Sequence, residues 1–469
     1  MATSPSAVPA IQALLDRAGV PYSIPASDNF NELLSNYSGN HQDKKPGIIA
    51  VPESHYHVEA VVAACVEHKA QIVVRGGGHD IFGRSTVADG VTIDLRRLNS
   101  VTVSDSHDAA HVGGGATANQ VLEALASQGL QVPVGSCGTV GYAGWCLVGG
   151  FGPYVHSYGL GADQIVGAKV VNAEGKLVDA DAKMLKGLRG GGANLGVVVE
   201  LTVKAYPLQD VQAGMLMYES TNLSKSVTTF FTNYQKLFDG GKKIPSQLYA
   251  MPFIFAVPAV GITLCCCIVW NGTATNESRA WIDDVGKLAP LMPGLPEPQV
   301  AIAKMRALDF SQHLTAMLPP QILGGRPQSA SLTHLSPSVI SSLANVAATM
   351  PKSSNGGINM HIIRADCPSC LDDVPDSVCP YREPHIMLEL LGVGPDEETG
   401  KEAAQWSMAA RNELMGLEEA TKKTYIAVTS PECSDWEGVF GEKLGELKEL
   451  KKEYDPNGVF KNAIPRLLD

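Results

Sequence analysis

Two glycine-rich turns in this chain each present one nucleophilic side chain: Arg75-Gly76-Gly77-Gly78-His79 and Gly135-Ser136-Cys137-Gly138-Thr139-Val140-Gly141. Glycine lacks a Cβ and tolerates positive φ, so such turns bring backbone close to a flat or phosphorylated ligand. Consecutive N–H groups in them form an anion-binding nest. His79 and Cys137 displayed there can each bond a ligand when deprotonated. Of the 47 glycines, many cluster at 75–92, 113–115, 135–152 and 187–196 in β-branched surroundings, which suggests ligand-approaching turns rather than linkers.

The segments around the turns alternate between strand and helix patterns, as in an α+β or α/β domain, and with the antiparallel sheet expected beyond Tyr206 the chain as a whole is expected to be α+β. Gly47–Pro52 reads as a strand and Glu53–His68 as a helix, with Val58, Val61, Val62 and Cys65 on one face. Gln71–Arg75 is a buried strand running into the first turn. Further strands are expected at 91–95, 110–114, 164–172 and 196–205, with a helix near 118–128. Beyond Tyr206 the texture changes. Longer strand candidates at 247–255, 260–270, 357–364 and 385–393 are separated by helical stretches at 223–239, 276–289 and 336–349. That pattern predicts an antiparallel sheet backed by helices. A last helix is expected over Glu437–Glu453.

At 469 residues the chain exceeds one compact core and should divide into domains. A net charge of −12 disfavours nucleic acid and anionic membranes as partners. No run reaches the roughly 18–20 apolar residues of a membrane span. Met1–Pro9 lacks the basic and apolar regions of a secretory signal. Cys265-Cys266-Cys267, inside an apolar strand-like run, look like core residues of a protein from a reducing compartment. A cytoplasmic location is therefore expected, with a trimmed secreted form left open. Cys367-Pro-Ser-Cys370 with Cys379 and Cys433 lacks a second Cys-x-x-Cys pair, so no metal site is assigned. A disulfide within 367–379 stays open.

The ordered set Val73–His79, Thr92–Leu95, Gly113–Gly115, Gly135–Gly141, Gly149–Gly152, Tyr158–Asp163, Arg189–Val198 and Tyr454–Phe460 carries a family resemblance. It resembles the PCMH-type FAD-binding domain of the vanillyl-alcohol-oxidase superfamily and, within it, the berberine-bridge-enzyme-like oxidases. The resemblance implies an FAD-binding domain from 1–206 with a C-terminal return at 420–469, and a substrate-binding domain at 207–419. It implies FAD held at two points, His79 on the flavin 8α-methyl and Cys137 on ring carbon 6. Arg75, Gly76, Gly77, Gly78, Gly135, Thr139, Val140, Gly141 and the backbone of Val197 and Val198 are expected to contact the cofactor.

The implied reaction is oxidation of a small-molecule substrate by hydride transfer to flavin N5, with dioxygen as acceptor and hydrogen peroxide as product. Glu389, on the apolar strand His385–Leu391, is one candidate base. His385, Met387, Glu389 and Leu391 share a face there, and a carboxylate in such surroundings is held toward its neutral form unless paired. Tyr425 is the other candidate. The family reads Tyr-x-Asn-aromatic at that point, whereas this chain has Ala427 and Val428. A natural-product substrate fits the apolar strand and the 6% aromatic content better than a carbohydrate. A redox-silent isomerase or cyclase using FAD as scaffold is the third reading.

Overall fold

The computed structural model describes residues 7–39, 44–257, 260–319 and 321–467. Residues 1–6, which begin the segment read for a secretory signal, lie outside them. Three sheets organise the chain. In the first, Ile48–Ala50, Val91–Asp94 and Ile72–Arg75 run parallel, with Tyr22–Ser23 antiparallel at one edge. Helix His55–Glu67 crosses over between the first two parallel strands in sequence. It starts at Ser54, whose hydroxyl accepts from His57 N–H, and buries Val58, Val61, Val62 and Cys65 as its spacing predicts. The second sheet is antiparallel, ordered Val101–Val103, Ala109–Gly113, Val197–Lys204, Ile165–Val171, Leu177–Asp179.

The third sheet has eight strands, drawn from residues 211–421. Its order is Ile302–Met305, Val211–Met217, Gly261–Asn271, Leu248–Val257, Gly357–Ile363, His385–Leu391, Gln328–Leu332, Ala420–Thr421, every pair antiparallel. Helices Leu223–Asp239, Pro337–Ala348 and Glu397–Met415 accompany it. Cys266 joins the core on one face with Leu264 and Ile268, while Cys265 and Cys267 join the core on the other. Burial on both faces explains why this strand reads as an unbroken apolar run. The strands at 211–217 and 328–332 and the helix at 397–415 were not expected from sequence.

From Thr424 the chain returns to the first two sheets. Asn462 Nδ2 donates to the carbonyl of Ile72, and Asn194 Nδ2 to that of Pro465. Lys451 Nζ, fully buried, donates to Asp455 Oδ2 at 2.6 Å and to the Asn194 carbonyl at 2.7 Å. The single helix expected over Glu437–Glu453 is two, Trp436–Phe440 and Lys443–Tyr454. Gly441 at φ +53° ends the first in the left-handed conformation that favours glycine. No helix among the described residues is long and apolar enough to cross a membrane.

Candidate functional site

Strand Ile72–Arg75 delivers the first glycine turn, where Gly78 takes φ +73°. The second turn lies directly against it. A Cβ on Gly77 would sit 2.3 Å from the Gly141 nitrogen, and one on Gly141 would sit 2.4 Å from the Gly77 nitrogen. Only glycine lets the two backbones meet. The second turn is pinned by Gly138 N–H donating to Thr315 Oγ1 and by Asn119 N–H donating to the Gly138 carbonyl.

This contact brings His79 and Cys137 together. Thr139 Oγ1 lies 2.8 Å from His79 Nε2 and 3.3 Å from Cys137 Sγ. Tyr37 stacks on the imidazole, with centroids 4.2 Å apart and rings 17° from parallel. Burial pushes His79 down to about 4, so the ring is neutral at physiological pH. Burial, and then Cys137, push the Tyr37 phenol up to about 12.

Both turns form one wall of a cavity of about 500 Å³ that reaches the eight-stranded sheet. Met251, Phe253 and Phe255 line it from one strand, and Leu314, Met317 and Leu391 add apolar surface. Antiparallel register sets Asn359 opposite Phe253 on one side and Glu389 on the other. Asn359 Nδ2 donates to Glu389 Oε2 at 3.0 Å, so the half-buried carboxylate is partnered. Tyr425 and His361 border the same space. Burial and then the Glu389 carboxylate push the Tyr425 phenol far above its ordinary range, so it keeps its proton. His361 is fully buried by its surroundings and held below the usual histidine value, with Nδ1 2.6 Å from the Tyr249 hydroxyl.

Most residues singled out by sequence fall in this cavity: His79, Cys137, Gly76, Gly77, Gly78, Gly135, Val140, Gly141, Glu389 and Tyr425. Three do not. Arg75 turns its guanidinium away, to Asp94 Oδ2 at 2.8 Å and to the carbonyls of Leu33 and Leu34. It fastens one parallel strand to the next rather than reaching a ligand. Val197 and Val198 are committed to ladders with Val171 and Val170, and their side chains are buried in core. Thr139 meets the cavity through the two nucleophiles it bridges. On the shared strand face, Glu389 and Leu391 reach the cavity, whereas Met387 is wholly buried. His385 sets its ring edge-on to Phe151 at 5.8 Å, and burial pushes it down to about 4. All ten cysteines are free, so 367–379 contains no disulfide.

Sequence reasoning missed Tyr37, Asn359 and Arg84. Arg84 Nε pairs with Asp80 Oδ2 at 2.6 Å, and its two terminal nitrogens donate to the carbonyls of Ile426 and Ala427. It thereby ties the His79 turn to the Tyr425 segment. The Asp80-x-x-x-Arg84 spacing was a visible signal for half of this link. Arg84→Met should cost about 1.5–3 kcal/mol in urea unfolding, because hydrogen bonds from a charged donor are lost.

The cavity suits a planar ring with a diphosphate tail. The N–H groups of Gly77, Gly78 and His79 donate no hydrogen bond among the described residues. Ser85 and Ser136, both in the wall, have buried hydroxyls without a partner there. These free donors fit phosphate or ring oxygens, and the His79–Cys137 pair fits a flavin edge. The class thus defined is an FAD-binding oxidoreductase.

Comparison with known proteins agrees. Residues 46–181 match the FAD binding domain family model, and residues 424–465 match the berberine and berberine-like model. FAD-linked oxidoreductase aurO of Gibberella zeae is 30% identical over 427 residues, covering 90% of this chain and 81% of that one. Tetrahydroberberine oxidase of Argemone mexicana is 31% identical over 207 residues, covering 41% of this chain and 38% of that one. The fold matches BBE-like 1 of Physcomitrella patens with a TM-score of 0.81 at 18% identity, over 96% of this chain and 97% of that one. The chain belongs to the berberine-bridge-enzyme-like family of FAD-linked oxidoreductases.

Proposed function

We propose that the protein holds FAD covalently through both His79 and Cys137 and oxidises a small, largely apolar organic molecule. The observation that carries this reading is the meeting of both nucleophiles on Thr139 in the cavity that also holds Glu389. Bound FAD supplies a hydride acceptor that dioxygen can reoxidise, giving hydrogen peroxide.

The chain's own residues divide the remaining work. Glu389, oriented by the Asn359 amide, accepts the substrate proton. Tyr425, protonated because of its burial beside that carboxylate, donates a hydrogen bond and orients the substrate. Met251, Phe253 and Phe255 exclude water from the reacting end and favour an apolar substrate over a sugar.

The low value of His79 sets the pH dependence of attachment. The nucleophile is the neutral ring, present above its pKa and lost as pH falls through about 4. FAD added to cofactor-free protein should therefore attach at a constant His79-limited rate down to about pH 5, measured as protein-bound flavin after acid precipitation. A fall centred near the ordinary histidine value of about 6.5 would contradict the half-buried, neutral ring. For the reaction itself, the test is anaerobic mixing with panels of phenols, alcohols and sugars. The reading expects the flavin to bleach with an apolar substrate. Product formation with an unchanged spectrum would overturn it in favour of redox-silent chemistry.

A further inference from the structure

Among the described residues, Thr139 is the one side chain in hydrogen-bonding contact with both nucleophiles, and its hydroxyl has a single proton. Two arrangements satisfy this geometry. In one, Cys137 S–H donates to Thr139 and Thr139 donates to His79 Nε2, which leaves the other ring nitrogen carrying a proton. Both nucleophiles are then capped. In the other, His79 Nε2–H donates to the Thr139 oxygen and Thr139 O–H donates to Cys137 Sγ. The imidazole lone pair is then on Nδ1, free of Thr139, and the sulfur receives a donor that favours thiolate. A neutral ring is required throughout, and the burial that keeps His79 unprotonated provides it.

We infer that Thr139 is a positioning residue for cofactor attachment, its hydroxyl accepting from His79 Nε2–H and donating to Cys137 Sγ so that one group readies both nucleophiles. This rests on the reading that both residues bond FAD. Each bond replaces a flavin C–H hydrogen by nitrogen or sulfur. The side-chain proton and the displaced hydrogen's proton leave, and the two electrons pass to dioxygen, which is reduced to hydrogen peroxide. Among the described residues, the titratable groups nearby include Tyr37, stacked on the ring, the Asp80–Arg84 pair one residue on, whose charges offset each other, and Lys44, whose Nζ donates to the Phe82 and Gly83 carbonyls.

The test adds FAD to cofactor-free wild type, Thr139→Val and Thr139→Ser, and follows each adduct by peptide mass spectrometry between pH 6 and 9. Thr139→Val should slow the Cys137 adduct about tenfold at pH 7 and move its pH profile upward, with Thr139→Ser restoring it. Adducts forming in Thr139→Val at wild-type rates with an unchanged profile would overturn the inference. Should Thr139→Val fail to bind FAD, Cys137 alkylation by iodoacetamide in the cofactor-free proteins decides. An upward shift of its pH midpoint, reversed by serine, supports the hydroxyl, and coincident profiles overturn it. Absence of any adduct in the wild type would instead refute the two-point attachment itself.

Discussion

Glu389→Gln should lower kcat by about 10²–10⁴-fold, the range for loss of a positioned general base. The amide keeps the size of the carboxylate but cannot take a proton at neutral pH. Its partner Asn359 is itself an amide and can rotate to offer its oxygen, so the strand pairing survives. Flavin content and thermal stability should therefore stay near wild type while turnover collapses. Tyr425→Phe provides the contrast. Its phenol holds its proton, so the substitution removes a donor rather than a base. A loss of about tenfold, expressed partly in KM, is expected there. Equal losses in the two variants would exclude the division of roles.

The largest expected effect on stability lies outside the cavity. Asp94→Asn should destabilise the fold by about 3–5 kcal/mol, because it leaves the Arg75 guanidinium buried without a counter-charge. Both side chains are essentially inaccessible, and Asp94 also receives Arg96 at 2.6 Å, so two cations lose one anion together. The same aspartate caps the short helical turn Leu95–Arg97 through Arg96 N–H. Urea unfolding of cofactor-free protein measures this without contribution from bound FAD. Arg75→Met, which removes the buried charge and keeps much of the volume, should cost less than Asp94→Asn. A larger loss in Arg75→Met would mean that the guanidinium's bonds to Leu33 and Leu34 outweigh the ion pair.

Arg75 also shows why part of the site was misread from sequence. Adjacency to a glycine turn suggested ligand contact, but the strand pairs Arg75 with Asp94 and its side chain turns to that carboxylate. The cofactor end was legible because its chemistry sits on local backbone features. Gly77 and Gly141 announce a close approach, and His79 and Cys137 stand beside them in sequence. Val197 and Val198 lie outside the cavity lining, with side chains in core and backbone paired on the side of Val170 and Val171. A strand after a glycine turn gives no local sign of which neighbours will claim its backbone.

The substrate end depends on long-range register. Asn359 meets Glu389 only because two strands pair in one of several possible alignments, and Phe253 joins them from a third. Tyr425 is similarly set from afar. Tyr381 O–H donates to the Thr424 carbonyl at 3.1 Å and accepts from Ile426 N–H at 3.2 Å, bracketing the residue between. Tyr381 carries no local mark of that task, and the spacing of Asp80 and Arg84 marks only their own pairing, not the reach of Arg84 to Ile426 and Ala427. Helix and strand periodicity located many of the elements, but it says nothing of partners, so the walls of the cavity had to be seen.

If one flavin joins two turns that are far apart in sequence but in contact in the fold, tryptic digestion of the purified protein shows it most directly. Cleavage after Arg75, Arg84, Arg97 and Lys169 places His79 in peptide Gly76–Arg84 and Cys137 in peptide Leu98–Lys169. Mass spectrometry should find both peptides in a single species joined through FAD, lighter than its parts by the hydrogens lost in the two bonds. Recovery of both peptides unmodified, with the flavin released by acid, would contradict the account.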